Sequence, residues 1–371
     1  MAGSPDNFFT VWDWKASRIM LRAKSAGQDV FHAAFSSYMP GHITSAGSAH
    51  VRFWRMAETF TGLKLEGAQG RFGNTEVTDV IGVLAMPDGK VVSGCEWGNI
   101  LVWEAGLIKC EVAKKGRKGC HGAPVAQLEY SNGELLSLGM DGFVKVWYFE
   151  TIDLADPPDD DRFVEVEPIF ELEVADELGP AALMCMQRRH GGDQGSTWFA
   201  QDGGGGLWQL DLSLSADAPA PRRLFTSHSS GVVGVSAAPL APGVATLGKE
   251  GRLHLYSPGS LGLVVARAFP AAGSALLWLP ASVAACGSVL VLACADGVLR
   301  VVAVNLAAAE QQFKQHGGTA LGTADHVTLL QVAKAHAQAA TALALSDSGK
   351  VLASGGADLN VFLFHVEAKG Q

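Results

Sequence analysis

Three polar residues of the types found in a hydrolase active site lie close together in the sequence: His121, Ser137 and Asp141. A serine activated by a histidine, which a carboxylate orients, can attack a carbonyl carbon. Two features argue against this chemistry. A similar set recurs later in the chain, whereas a nucleophilic triad occurs once per active site. The serine also lies within an apolar strand pattern and not on an exposed turn.

The sequence instead predicts a repeated network of buried hydrogen bonds that holds sheets together. The carboxylate would accept backbone hydrogen bonds in a tight turn and bind the histidine, and an indole N–H would complete the chain. The predicted members are His121, Ser137, Asp141 and Trp147 in one copy, and His336, Ser354 and Asp358 in another, where Phe364 replaces the tryptophan. A less regular copy consists of His228, Thr246, Glu250 and Tyr256.

Each network sits in a unit that recurs along the chain: a small turn, an acid or its substitute, a glycine, and alternating apolar residues that end in an anchor. The anchors are Trp54, Trp103, Trp147, Trp208, Tyr256, Val302 and Phe364. Four of the six spacings between them are 44 to 49 residues, close to the roughly 40–45 residues of a WD40 blade. The pattern predicts an all-β fold, a WD40-type β-propeller of about seven four-stranded blades, with residues 1–371 as one domain.

The start of the chain fits this repeat less well. The strand "FFTVW", which ends at Trp12, is expected to be the third strand of an incomplete blade. Arg18–Lys24 is a candidate for the outer strand that is missing after Phe364.

The two remaining spacings, 61 and 62 residues, predict inserts at 150–177 and 305–331. The first insert holds twelve Asp or Glu and a single base, Arg162, so its net charge is −11 in a chain of net charge −9. Pro157 and Pro158 oppose regular structure, so Asp159, Asp160 and Asp161 are expected to project into solvent. Residues 163–174 alternate between apolar and acidic, which predicts an edge strand with one charged face.

Two interpretations of these charges stay open. The acidic insert is either a solvated loop with a protected edge or a docking surface for a basic partner. A basic cluster between two blades consists of Lys114, Lys115, Arg117 and Lys118. It is either a mobile loop on one rim or a docking site for an acidic surface such as that of tubulin.

Other classes of function find little support. The negative net charge argues against nucleic acid or an anionic membrane as main partner. The six cysteines form no CxxC pair or zinc spacing, which favours a reduced cytoplasmic compartment. No Walker loop or catalytic motif occurs, so neither a cofactor nor an enzyme is expected. An apolar run between Arg267 and Asp296 contains Pro280 and Gly287, which predicts two buried strands and not a membrane helix.

Three stretches are more specific than the general repeat: "HVRFWRMAETFTGLKLEG", "EWGNILVWEAGLIKCEV" and "GMDGFVKVWYFETIDLADPPDDDRFVEVEP". They resemble the WD-repeat region of the cilia- and flagella-associated protein 44 family over about residues 20–180. The segments "FETID" and "ADPPDDDRF" are the most diagnostic, because the general repeat lacks them.

The resemblance implies a non-catalytic scaffold in the axoneme of the cilium or flagellum, part of the cytoskeleton, that tethers inner-arm dynein motor heads to the doublet microtubule. It implies as partners a second WD-repeat tether subunit, inner-arm dynein and tubulin. Because members of that family are much longer, the chain is expected to be a fragment. The repeats alone also allow a general cytosolic WD40 adaptor of a ubiquitin ligase or trafficking complex.

Overall fold

The chain forms two compact units, Met1–Arg222 and Arg223–Gln371, built almost entirely from antiparallel sheets. The structure is a computed structural model. It describes residues 8–25, 27–60, 62–158, 161–176, 179–189, 196–215, 217–240, 242–259, 262–284, 288–315 and 326–367. The predicted fold class, all-β with WD40-type blades, is confirmed. That residues 1–371 form one domain stays a prediction.

The first unit opens with a hairpin and continues with blades. The hairpin comprises β1 (Phe8–Asp13) and β2 (Arg18–Lys24). Blade one comprises β3 (Val30–Phe35), β4 (His42–Gly47), β5 (His50–Thr59) and β6 (Gly62–Gln69). Blade two comprises β7 (Val80–Ala85), β8 (Val91–Cys95), β9 (Ile100–Glu104) and β10 (Leu107–Ala113).

Blade three has an interrupted outer edge. Its first strands are β11 (Val125–Ser131), β12 (Glu134–Gly139) and β13 (Phe143–Tyr148). Helix α1 (Phe149–Asp153) and β14 (Phe163–Glu165) precede its fourth strand, β15 (Phe170–Glu173). A two-residue ladder of β16 (Ala175–Asp176) and β17 (Gly179–Pro180) leads to blade four, which contains β18 (Leu183–Arg188), β19 (Thr197–Asp202) and β20 (Gly206–Asp211). The next strand, β21 (Arg222–Thr226), crosses the boundary between the units.

The second unit contains three further blades. Blade five comprises β22 (Val232–Ala237), β23 (Val244–Gly248), β24 (Arg252–Ser257) and β25 (Gly262–Ala268). Blade six comprises β26 (Gly273–Trp278), β27 (Val289–Cys294), β28 (Val298–Val304) and, after helix α2 (Leu306–Gln315), β29 (Val327–Lys334). Blade seven comprises β30 (Ala340–Leu345), β31 (Val351–Gly356) and β32 (Val361–His365), three strands within the described residues.

The N-terminal hairpin corrects one expectation. Among the described residues β2 lies in a two-stranded sheet with β1, with Val11 opposite Leu21, and not in the sheet of blade seven. That β1 is the third strand of an incomplete blade stays a prediction, since such a strand would also pair with the strand that follows it. An isolated two-stranded sheet is marginal in water, so this hairpin needs a partner. It finds one in blade one, where Phe9 stacks on Trp54 with ring centroids 5.8 Å apart.

The apolar core lies between successive blades. One cluster joins Val92 and Ile100 of blade two to Leu128 and Trp147 of blade three, and a corresponding cluster joins blades five and six. Middle strands such as β8 are buried on both faces, so they read as continuous apolar runs. The run between Arg267 and Asp296 forms β26 and β27, as predicted. Within the described residues, no helix combines the length and apolar character needed to cross a membrane.

The turn before each third strand contains one residue with a positive φ angle. In blades two to six it is a glycine, for example Gly98 (φ 86°) and Gly142 (φ 87°). In blades one and seven it is Ala49 (φ 55°) and Leu359 (φ 65°) respectively. A residue with a Cβ atom is strained in this left-handed conformation. Leu359 gains nothing from packing in return, because it is 95% exposed.

We expect Leu359→Gly to stabilise the second unit by about 1 kcal/mol, since the strain of the Cβ atom exceeds the entropy that glycine loses. Leu359→Ala is the control, because alanine keeps the Cβ atom and should change stability by less than about 0.5 kcal/mol. Urea-induced unfolding measures both. A destabilised glycine variant would show that the turn does not adopt this conformation.

Candidate functional site

The first polar set is brought together in blade three. The His121 Nδ1 lies 3.0 Å from Asp141 Oδ1, and the His121 Nε2 lies 2.7 Å from Ser137 Oγ. The Trp147 Nε1 donates to the same serine oxygen at 2.8 Å. Donors and acceptors match along this path if the histidine carries its proton on Nδ1, since Ser137 can then accept from the indole and donate to Nε2.

The Asp141 carboxylate also fixes the turn. It accepts backbone hydrogen bonds from Gly122 (2.8 Å) and Phe143 (3.2 Å). Burial alone would raise the pKa of Asp141, but these bonds and the hydrogen bond to His121 outweigh it and hold the pKa below its usual range. Asp141 therefore remains a charged acceptor. Because Ser137 is fully buried, a substrate carbonyl has no access to its oxygen.

The copy in blade seven has nearly the same geometry without the tryptophan. The His336 Nδ1 is 2.9 Å from Asp358 Oδ1, and its Nε2 is 2.9 Å from Ser354 Oγ. Phe364 occupies the anchor position, opposite Leu352. Its ring offers no donor, and Phe362 instead covers the imidazole edge-on at 5.0 Å.

Blade five carries a variant of the network with a second histidine. His228 binds Glu250 and Thr246, and the imidazole of His254 stacks on it with ring centroids 3.9 Å apart. Burial, followed by the neighbouring His228, lowers the pKa of His254 to about 4. The pair therefore stacks with His254 neutral at physiological pH. The repeat comparison did not single out His254, although it occupies the same position, two residues before the anchor, as Phe362.

Two further serines escaped the sequence comparison. Trp54 Nε1 donates to Ser45 Oγ, and Trp103 Nε1 donates to Ser93 Oγ, both at 2.8 Å. The signal was present in the sequence, because a serine precedes each of the first three tryptophan anchors by nine or ten residues. In blade four Trp208 donates instead to Asp202 at 2.6 Å.

Neither metal ligation nor a polar pocket emerges from these sets. The described part of the chain contains no group of three or more His, Cys, Asp or Glu side chains placed to hold a metal ion. A cleft of about 300 Å³ lies between blades one and two, but its walls are largely apolar and include Met39, Phe53 and Met86. Its one lysine, Lys90, is already paired with Asp88 and Asp153.

The acidic insert, expected to leave the blade edge as a loop, is anchored at its start. Helix α1 buries Phe149 and Ile152 in the core between blades two and three. Asp153 receives a bond from Lys90 at 2.5 Å, and its carbonyl accepts one from Lys109 at 2.8 Å. Both lysines belong to blade two. The helix therefore fastens the insert to the neighbouring blade.

The predicted single edge strand over 163–174 is two strands on two different blades. Strand β14 pairs in parallel with β10 of blade two, where Val164 lies opposite Val112. Strand β15 pairs antiparallel with β13 of blade three, where Leu172 lies opposite Val144. The single strand is wrong because Pro168, which has no backbone N–H, lies between the two. The insert thus bridges two blades.

The acidic insert also binds the basic cluster. Lys114 Nζ lies 2.7 Å from Glu171 Oε1, which Lys145 approaches to 3.1 Å. Arg117 pairs with Asp161 and lies over the ring of Phe163, 4.9 Å from its centroid. Because these ion pairs join the two segments, the two charge clusters that are separate in the sequence form one surface.

Backbone groups of the basic loop take part as well. The N–H of Lys115 donates to Glu167 at 3.0 Å, and that of Gly116 donates to Glu165 at 2.9 Å. Successive backbone N–H groups in a turn form a small anion-binding concavity. The glutamates of the insert fill it, so this part of the loop has defined hydrogen-bond partners.

The remaining predicted docking residues are placed as follows. Asp161 is partly exposed and bound to Arg117. Asp159 and Asp160 lie outside the described residues. The side chains of Lys115 and Lys118 are exposed and make no ion pair with any residue that the structure describes. Of the basic cluster, these two lysines carry the charges that no ion pair among the described residues uses.

The repeated four-stranded sheets with their tryptophan–serine and histidine–aspartate bonds define a WD40-repeat protein. The family model for the WD domain, G-beta repeat, matches residues 327–365. The chain is homologous to cilia- and flagella-associated protein 44, which confirms the resemblance found in the sequence.

The relatives extend that similarity to nearly the whole chain. Cilia- and flagella-associated protein 44 of Mus musculus is 38% identical over 369 residues, which cover 98% of this chain and 19% of that protein. The protein of the same name from Chlamydomonas reinhardtii is 36% identical over 375 residues, covering 99% of this chain and 20% of its own length. The chain therefore spans about a fifth of these relatives, and the similarity continues well beyond residue 180.

A shorter similarity concerns another protein. Echinoderm microtubule-associated protein-like 1 of Homo sapiens is 32% identical over 114 residues, covering 30% of this chain and 14% of that protein.

We expect Ser137→Ala to lower the free energy of unfolding by about 2–3 kcal/mol, because it leaves both Trp147 Nε1 and His121 Nε2 buried without a partner. Ser93→Ala is the matched control. It removes one bond, to Trp103, and should cost about 1 kcal/mol. Tryptophan fluorescence during urea unfolding reports both. Equal losses would show that the histidine does not depend on Ser137.

We expect Glu171→Gln to destabilise the chain by about 1 kcal/mol or less at neutral pH, since Glu171 is partly exposed and its ion pairs are screened. Burial would raise the pKa of Glu171, but hydrogen bonds from Lys114 and Lys145 keep it below its usual 4.5. The contribution of Glu171 to stability is therefore complete above pH 4.5 and disappears as the pH falls through its lower folded-state pKa. The difference between the two proteins should vanish in acid.

Glu173→Gln is the control for that experiment. Glu173 lies on the same strand and also faces solvent, but has no ion pair within the described residues. Its substitution should leave stability unchanged at every pH. Stability curves of wild type and Glu171→Gln that stay parallel as the pH falls from neutral well below 4.5 would contradict the assigned ion pair.

Proposed function

We propose that the chain is a non-catalytic protein-interaction scaffold of the ciliary or flagellar axoneme that tethers inner-arm dynein motor heads to the doublet microtubule. The observation that carries the proposal is the homology to cilia- and flagella-associated protein 44 over 98% and 99% of the chain. The tether role rests on the resemblance of the sequence to that family. A second WD-repeat tether subunit and inner-arm dynein are the proposed partners.

A non-catalytic role agrees with the chemistry of the polar sets. Each histidine holds a hydroxyl and a carboxylate of its own blade, and Ser137 and Ser354 are buried. Such bonds satisfy buried polar groups and fix the turns. The exposed surfaces of the blades then remain for binding other proteins.

The surface that joins the acidic insert to the basic loop is the proposed docking region. We propose that Asp159, Asp160 and Asp161 bind a basic partner and that Lys115 and Lys118 bind an acidic one. Tubulin is the proposed acidic partner, and the similarity to echinoderm microtubule-associated protein-like 1 supports it. Because Lys114 and Arg117 already form ion pairs with the insert, we propose that they stabilise this surface and do not bind the partner.

Expression of the tagged chain in ciliated cells tests the proposal. The chain should sediment with demembranated axonemes, and cross-linking should recover inner-arm dynein. Lys115→Glu combined with Lys118→Glu should reduce the axonemal fraction severalfold, because the reversed charges repel an acidic partner. The matched control combines Lys249→Glu with Lys350→Glu, which change two exposed lysines of other blades. This variant should leave the axonemal fraction unchanged.

Retention in the cell body, with ubiquitin-ligase or coat subunits among the recovered proteins, would favour the general cytosolic adaptor instead. Normal axonemal binding of the Lys115/Lys118 variant would refute the docking region and leave the scaffold role intact.

A further inference from the structure

The N-terminal hairpin has two faces of different character. Side chains alternate along its strands, so Phe9, Val11 and Leu21 pack on blade one. The opposite face, together with the turn, presents large apolar and basic side chains. We call this set the hairpin face: Phe8, Trp12, Trp14, Lys15, Ile19, Met20, Arg22 and Lys24, in which Ile19 lies opposite Trp12 because the register shifts between Val11 and Trp12.

The aromatic side chains of the hairpin face are unusually exposed. Trp12 is 52% exposed and Trp14 is 80% exposed, whereas the blade anchors Trp103 and Trp147 are buried. The hairpin is already held to blade one through its inner face, so folding does not require these rings. Exposed tryptophans beside arginine are typical of the residues that dominate binding energy at protein interfaces.

The charges of the hairpin face are opposite to those of the chain as a whole. Residues 8–24 hold four bases and one acid, a net charge of +3, in a chain of net charge −9. Arg18 lies 3.8 Å from Asp13. Lys15, Arg22 and Lys24 have no acidic side chain within ion-pair distance among the residues that the structure describes. Arg22 instead lies over the Phe8 ring at 4.0 Å, and Lys15 over Trp14 at 5.6 Å.

We propose that the hairpin face binds an acidic, extended segment of a partner protein. Side chains on one face of a strand repeat about every 7 Å, which matches every second residue of an extended peptide. Carboxylates of the segment would pair with Arg22 and Lys24. Its apolar side chains would lie on Trp12 and Met20.

A segment of protein fits this face better than a polyanion does. Proteins that bind nucleic acid neutralise many phosphates with lysine and arginine, whereas the hairpin provides a net charge of +3. The acidic insert of −11 belongs to the same unit and would repel a long polyanion. A short acidic peptide brings few negative charges and adds apolar contacts.

Fluorescence anisotropy with a labelled peptide of about eight alternating glutamate and tyrosine residues tests the proposal. The purified chain should bind it at low salt and more weakly as salt rises. Arg22→Glu combined with Lys24→Glu should weaken binding about 10-fold or more, because two attractive pairs become repulsive. Trp12→Ala should weaken it several-fold while the salt dependence stays unchanged.

The controls separate this face from general electrostatics and from unfolding. Lys249→Glu combined with Lys350→Glu changes the net charge equally and should bind as wild type does. Because the outer side chains do not enter the core, thermal unfolding of the Arg22/Lys24 variant should match that of wild type. A peptide of the same length in which lysine replaces glutamate should not bind. This proposal is independent of the axonemal role, since it is measured on the purified chain.

Three results would overturn the proposal. One is equal peptide affinity in wild type and the Arg22/Lys24 variant, and another is equal weakening by the control variant. The third is tighter binding to a single-stranded oligonucleotide, or to phosphatidylserine vesicles, than to the acidic peptide.

Discussion

A sheet of four short strands has two apolar faces and cannot bury both by itself, and this constraint governs the whole chain. Each unit meets it by stacking blades, so that the apolar clusters contain residues of successive blades and the middle strands are buried on both sides. Even the two-stranded hairpin at the N-terminus follows the rule, because its inner face has Trp54 to pack on. Stability is therefore spread over many similar contacts between neighbours.

Stacking creates a second requirement, since turns and indoles become buried with their polar groups. The blades meet it with different residues in the same places. Blade three uses the full series from Trp147 to Asp141, whereas blade seven lacks the indole and blade five has Glu250 in place of the aspartate and adds His254. The position is thus defined by the hydrogen bonds it must make, and not by one residue type.

The repeat made much of the fold predictable. Anchors, turns and the pairing of His121 with Ser137 and Asp141 all follow from patterns within about twenty residues, which a sequence shows directly. The bridging insert could not be predicted in the same way. Alternation in 163–174 indicated strands with a charged face, but it carried no information on which blade each strand would join. Lys114 and Glu171 are far apart in sequence, so their charges looked like separate surfaces until the fold brought them together. Leu359 likewise broke the glycine pattern of the turns, and only the backbone angle shows the cost.

The placement of β14 has a mechanical consequence. Because β14 pairs with β10 of blade two while β15, which follows it in the chain, pairs with β13 of blade three, a pull that separates the two blades is resisted by the hydrogen bonds of both ladders. Helix α1, which is bonded to Lys90 and Lys109 of blade two, holds the start of the same acidic insert. Blades two and three can therefore separate only if the hydrogen bonds of one of these two ladders break.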